Sequence, residues 1–128
     1  NQNNSAIQKL NDHSQFADFL VDCVQDKKGK SIVKLDLSEI EETFCDYFII
    51  CEGTSPTQVK AIGDHIMRRS KEELNERAFN CEGFNNCEWV LIDFVDIVIH
   101  VFLKEKRAFY QLETLWSDAK PTVFEDLD

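Results

Sequence analysis

The chain has 128 residues, 43% of them hydrophobic and 30% charged, which is the composition of one globular domain with one core and not of a disordered segment. Its 14 Lys and Arg against 24 Asp and Glu leave a formal charge of −10, which excludes binding to a nucleic-acid backbone as the main source of affinity. Basic surfaces, metals and neutral ligands remain as partners.

Residues 1–11 read as a flexible tail, 12–118 as one folded domain and 119–128 as an acidic end piece, extended after Pro121. Phe16, Phe19, Leu20, Cys23 and Val24 recur at helical spacing and make one apolar stripe, with Asp12 or Ser14 as cap and Gly29 as stop. Ile32 to Leu37 alternates as a half-buried strand, Val33, Leu35 and Leu37 on one side. Tyr47 to Cys51 is continuously apolar and reads as a central strand covered on both faces. Ser55 and Gln58 form a capping box with Pro56 at the first helical position. The stripe Val59, Ile62, Gly63, Ile66, Met67 and Leu74 then carries a helix to about Asn75.

A short strand is expected over Ala78 to Cys81. Trp89 to Phe94 and Ile97 to Leu103 read as strands whose tight link, Val95-Asp96, implies an antiparallel hairpin. A last helix from about Lys106 to Ser117 would bury Ala108, Phe109, Leu112, Leu115 and Trp116. The fold class is therefore α/β, one domain with a mixed sheet of about five strands and helices packed on it.

Candidate chemistry is sparse. Cys23, Cys45, Cys51, Cys81 and Cys87 contain no C-x-x-C pair, and an odd number in apolar surroundings fits reduced thiols of a cytoplasmic protein. His13, His65 and His100 do not cluster with them, so no metal site is expected. Ser55 lacks the G-x-S-x-G frame of a nucleophile elbow, and its cap role accounts for it. Gly53-Thr54-Ser55 before a helix N-terminus could hold a phosphate, and Asp93 and Asp96 could hold magnesium. Their D-x-x-D spacing is wrong for one face of a strand, and the turn lacks a Lys. No catalytic residue and no cofactor is expected. Trp89 and Asp93 share one side of a strand, and Lys106, Tyr110 and Glu113 share a helix face off the apolar stripe. Aromatics beside carboxylates suit capture of a basic protein surface, while core packing of Trp89 is the equally open alternative.

The run Asp46-Tyr47-Phe48-Ile49-Ile50-Cys51-Glu52-Gly53-Thr54-Ser55 with Gln58-Val59 and Ala61-Ile62 resembles the Iojap-like ribosomal silencing factors. So do Glu82-Gly83, Trp89-Val90-Leu91-Ile92-Asp93, Asp96 to Phe102 and Arg107 to Trp116, in order and over about Phe16 to Ser117. The resemblance implies a mixed α/β sheet, distantly nucleotidyltransferase-like but without the catalytic carboxylates. It also implies a translational repressor in place of an enzyme. Such factors dock on a basic large-subunit ribosomal protein at the inter-subunit face and sterically block subunit joining. Organellar members act in large-subunit assembly. On the matched positions, Trp89, Asp93, Asp96, His100, Arg107, Tyr110 and Glu113 are expected to form or buttress the contact surface, Trp89 and Tyr110 as anchors. Members of the family commonly have Gly where this chain has Val95. A β-branched residue disfavours positive φ, which points to another turn type here. The alternative function is a nucleotide-binding enzyme of nucleotidyltransferase type. A homo-oligomeric scaffold, in its simplest form a homodimer, is compatible with the first reading because it would hide the same face. No membrane partner is expected.

Overall fold

The computed structural model describes residues 13–40, 43, 45–110 and 117–127, and the expected N-terminal tail lies outside these residues. Helix α1, His13–Asp26, buries Phe16, Ala17, Leu20, Val21, Cys23 and Val24, the stripe its sequence spacing requires. It ends where Lys28 turns left-handed at φ 61° and the Gly29 N–H returns to the Val24 carbonyl at 3.0 Å. A Cβ on Gly29 would lie 2.3 Å from Val24 Cγ1, so only glycine closes this turn.

Strands β1, Lys30–Asp36, and β2, Tyr47–Gly53, pair antiparallel. Helix α2, Pro56–Leu74, starts at Ser55, whose Oγ accepts the Gln58 N–H, and stops at left-handed Asn75, whose N–H is taken by the Lys71 carbonyl. Strand β3, Asn80–Glu82, is short and exposed. Strands β4, Trp89–Asp93, and β5, Ile97–Leu103, form the expected antiparallel hairpin. Helix α3, Lys104–Tyr110, follows β5 directly. Its expected continuation, with Leu112, Leu115 and Trp116, lies outside the described residues.

The sheet has six strands in the order β3-β4-β5-β2-β1-β6, where β6 is Lys120–Val123. Only β2 and β5 run parallel, joined through α2, and this makes the sheet mixed as expected. The strand beyond the expected five is β6, in the segment read as an end piece. It lies antiparallel to β1 with Pro121 opposite Leu35. Proline lacks an N–H, so an edge is where it fits.

Strand alternation splits the side chains between two faces. Ile32, Ile49, Cys51, Val90, Ile92, Ile97, Ile99 and Val101 pack under α1 and α2 in the main core. The two helices are also clamped by Arg69, whose Nη1 donates to Asp22 and Asp26 at 2.8 Å while its guanidinium lies over Phe19. On the other face Leu35, Leu37, Ile50, Phe102 and Ala119 form a smaller cluster edged by Val33, Ile40, Cys45, Phe48 and Trp89. No helix among the described residues is long and apolar enough to cross a membrane.

Candidate functional site on the second sheet face

Trp89, His100 and Phe102 meet across the β4–β5 pair, because antiparallel register sets Trp89 opposite Phe102 and Leu91 opposite His100. The half-buried Trp89 ring stacks on Phe102 at 5.3 Å between centroids, and its Nε1–H donates to His100 Nδ1 at 3.0 Å. An indole N–H can only donate, so Nδ1 is the acceptor and the imidazole proton sits on Nε2. His100 is only 4% exposed, and burial pushes its pKa down to about 4, so the ring is neutral at physiological pH. Its Nε2 has no hydrogen-bond partner among the described residues. Phe48 of β2 meets the same imidazole edge-on at 4.9 Å.

The hairpin turn carries the two aspartates. Asp93 Oδ1 accepts the Val95 N–H at 2.7 Å, and the Phe94 carbonyl accepts the Asp96 N–H at 3.0 Å. Val95, at the centre of this three-residue turn, has φ 77°. The expectation that a β-branched residue would avoid positive φ is thus corrected. The turn is pinned from both sides, since the Asp96 carbonyl also accepts the Asp46 N–H at 2.7 Å. The Asp96 carboxylate pairs with His13 Nε2 at 3.2 Å, while His13 Nδ1 bonds Asp46. His13, Asp46 and Asp96 are, among the described residues, the one His, Cys, Asp and Glu group close enough to share an ion. The two carboxylates use opposite nitrogens of the ring, which is a clamp between α1, the loop before β2 and the hairpin. None of the five cysteines joins it, and all are free thiols.

Arg107 turns inward. Its Nη1 donates to the Ser31 carbonyl and to Glu52 Oε1 at 3.2 Å, with both side chains nearly buried at 13% and 12% exposure. It ties α3 to β1 and β2. Tyr110 ends α3 with its side chain outside the described part, and Glu113 lies wholly outside it.

The structure therefore brings Trp89 and His100 together, sets Asp93 and Asp96 on one turn, and places Arg107 apart as a strut. Between His100 and Asp93 a groove of about 660 Å³ opens along Phe48, Leu91 and Val98, with Thr43, Cys45, Phe79 and Val95 around it. Sequence reasoning missed His13, Asp46 and Phe79, each brought in over long chain distances with no local signal.

The nucleophile and phosphate readings meet occupied groups. Gln58 Oε1 accepts the Thr54 N–H at 2.7 Å, and its Nε2 donates to the Lys27 and Lys28 carbonyls at 3.1 Å, so the turn before α2 is filled by the chain itself. Burial raises the Cys45 thiol to about 11 and Cys51 to about 12, keeping both protonated and poorly nucleophilic.

Residues 10–128 match the family model "Ribosomal silencing factor during starvation". The chain belongs to the ribosomal silencing factor family. It is 40% identical over 111 residues to Ribosomal silencing factor RsfS of Halalkalibacterium halodurans, covering 87% of this chain and 92% of that protein. A crystal structure of a Chromobacterium violaceum protein superposes with a TM-score of 0.77 at 33% identity, over 86% of this chain and 90% of that one. A mouse protein named Mitochondrial assembly of ribosomal large subunit protein 1 is 29% identical over 102 residues, which are 78% of this chain and 44% of the mouse protein. As a silencing factor, the chain has a ribosome-associated role in translation regulation.

Proposed function

We propose that this silencing factor binds the large ribosomal subunit through a basic ribosomal protein at the inter-subunit face and, while bound, keeps the small subunit from joining. It would act in the cytoplasm and catalyse no reaction. The family match across residues 10–128 carries this reading. The charge of −10 supports it, because an acidic body is drawn at range to a cationic ribosomal protein. The second sheet face supports it too, since Trp89 lies on the side without α1 and α2 and Asp93 lines the groove there. In this reading Trp89, Asp93, Asp96, Tyr110 and Glu113 touch the partner, and His100 and Arg107 buttress them from within. Steric exclusion needs only occupied volume and a sufficient residence time, which agrees with catalytic candidates spent on caps and clamps.

Subunit joining tests this directly. Purified large and small subunits are mixed with and without the protein, and the joined fraction is followed by light scattering. The expected outcome is a dose-dependent loss of joining. Undiminished joining at concentrations that saturate the large subunit would overturn the proposal. The nucleotidyltransferase alternative draws no support from the site, because Gln58 fills the turn and Asp96 is committed to His13.

A further inference from the structure

The groove beside the hairpin turn has a chemistry more specific than a general docking face. Its walls, Phe48, Leu91, Val95, Val98 and Phe79, are apolar, and no Lys or Arg is among its described lining residues. Its volume of about 660 Å³ falls within the roughly 300–1,000 Å³ of ligand-sized pockets. Two large apolar side chains stand out at its rim, Phe79 at 78% exposure and Val95 at 53%. Apolar surface left bare beside a cavity marks a contact site. Val95 is moreover held at a φ that costs a β-branched residue energy, and such strain concentrates at functional positions. One end of the groove is acidic. Asp93 lines it, and no cation pairs with its carboxylate among the described residues. Inside, the neutral His100 ring forms part of the wall, with its Nε2 sealed from solvent.

We infer that this groove receives one large apolar side chain of a basic protein partner, with a neighbouring Lys or Arg of that partner pairing with Asp93. This rests on the ribosome-binding reading above and deepens it, by stating what the partner must present: an exposed aromatic or branched aliphatic residue next to a cation. A protein segment fits better than RNA, since the apolar walls give a phosphate nothing to bind.

The test is co-sedimentation with isolated large ribosomal subunits at low salt. Phe79→Ala trims an exposed rim residue, and Asp93→Asn removes the charge while keeping the oxygen that accepts the Val95 N–H. Both should fold normally, as a melting curve checks. Each is expected to weaken association by about fivefold or more, whereas Val123→Ala, an exposed apolar change on β6, leaves it unaltered. Association by the unchanged protein that neither groove variant weakens overturns the groove inference alone. Failure of the unchanged protein to associate overturns the ribosome-binding reading and takes this inference with it. Binding to protein-free ribosomal RNA as tight as to the whole subunit would make RNA the ligand, and would also overturn it.

Discussion

Val95 sits at φ 77° between two aspartates whose hydrogen bonds leave the turn no easier conformation. Left-handed strain at a β-branched residue costs roughly 1–3 kcal/mol, and glycine's extra unfolded-state freedom offsets about 0.5–1 of that. Val95→Gly should therefore stabilise the fold by about 1 kcal/mol, read as a midpoint several degrees higher in thermal unfolding. An unchanged or lower midpoint would show that the turn carries no strain. His100 makes the opposite kind of contribution. Its folded pKa is pushed down to about 4 by burial, while an imidazole in the unfolded chain titrates near ~6.5. Between those values the unfolded state holds a proton that the folded state lacks. Stability therefore falls as the pH drops through that window, by roughly 3 kcal/mol in all. Asp26, Asp36 and Glu73 are held below their ordinary values, chiefly by hydrogen bonds from His65, Ser38 and Arg69 respectively. Their stabilisation is lost as pH falls through those lowered folded values, so most of it goes at more acid pH. In His100→Gln an amide oxygen still accepts from the Trp89 indole, and denaturant titrations from pH 6.5 to 4.5 should show a shallower decline than in the parent. Equal declines would mean another group is responsible.

At the scale of elements, Gln58 shows what a sequence reveals and what it hides. The spacing from Ser55 identifies the cap of α2, and the Gln58 N–H does go to Ser55 Oγ at 3.1 Å. The same side chain also reaches the Lys27 and Lys28 carbonyls at the end of α1, and nothing local announces that tie. Gln58→Ala keeps the backbone N–H on Ser55 Oγ but loses the side-chain bonds to Thr54 and to the Lys27 and Lys28 carbonyls, which makes it costlier than a simple cap deletion, about 2 kcal/mol against about 1 for Ser55→Ala in urea unfolding. Equal costs would show that the bridge to α1 contributes nothing. Elsewhere legibility follows the range of the interaction. Helices and the hairpin were readable because periodicity and a short link are local, although the link is the three residues Phe94 to Asp96 in place of the expected two. Strand β6 was not, because Lys120-Pro121-Thr122-Val123 has no alternation and owes its pairing to β1. Trp89 and His100 could be singled out by type, but their hydrogen bond depends on the β4–β5 register. The clamp of His13 on Asp46 and Asp96 depends on three separate elements converging, and no spacing rule encodes that.

For the whole molecule, charge and topology act together. The sheet places α1 and α2 on one side and Trp89, the groove and Asp93 on the other, with Asp96 at the hairpin tip reaching back to His13 of α1, so the chain has a packed back and a chemically distinct front. A net charge of −10 draws such a body toward a cationic target before any contact forms, and that attraction is screened over a Debye length of about 8 Å at physiological salt and about 3 Å at 1 M. The apolar groove contributes after contact and is insensitive to screening. The two effects should separate kinetically. Raising salt from about 0.05 to 0.5 M is expected to slow association with large subunits by about tenfold or more, while dissociation changes much less. Stopped-flow or surface-based kinetics with purified subunits resolves the two rates. An association rate indifferent to salt would show that the acidic character of this silencing factor plays no part in finding the ribosome, and that the front face acts through shape and apolar contact alone.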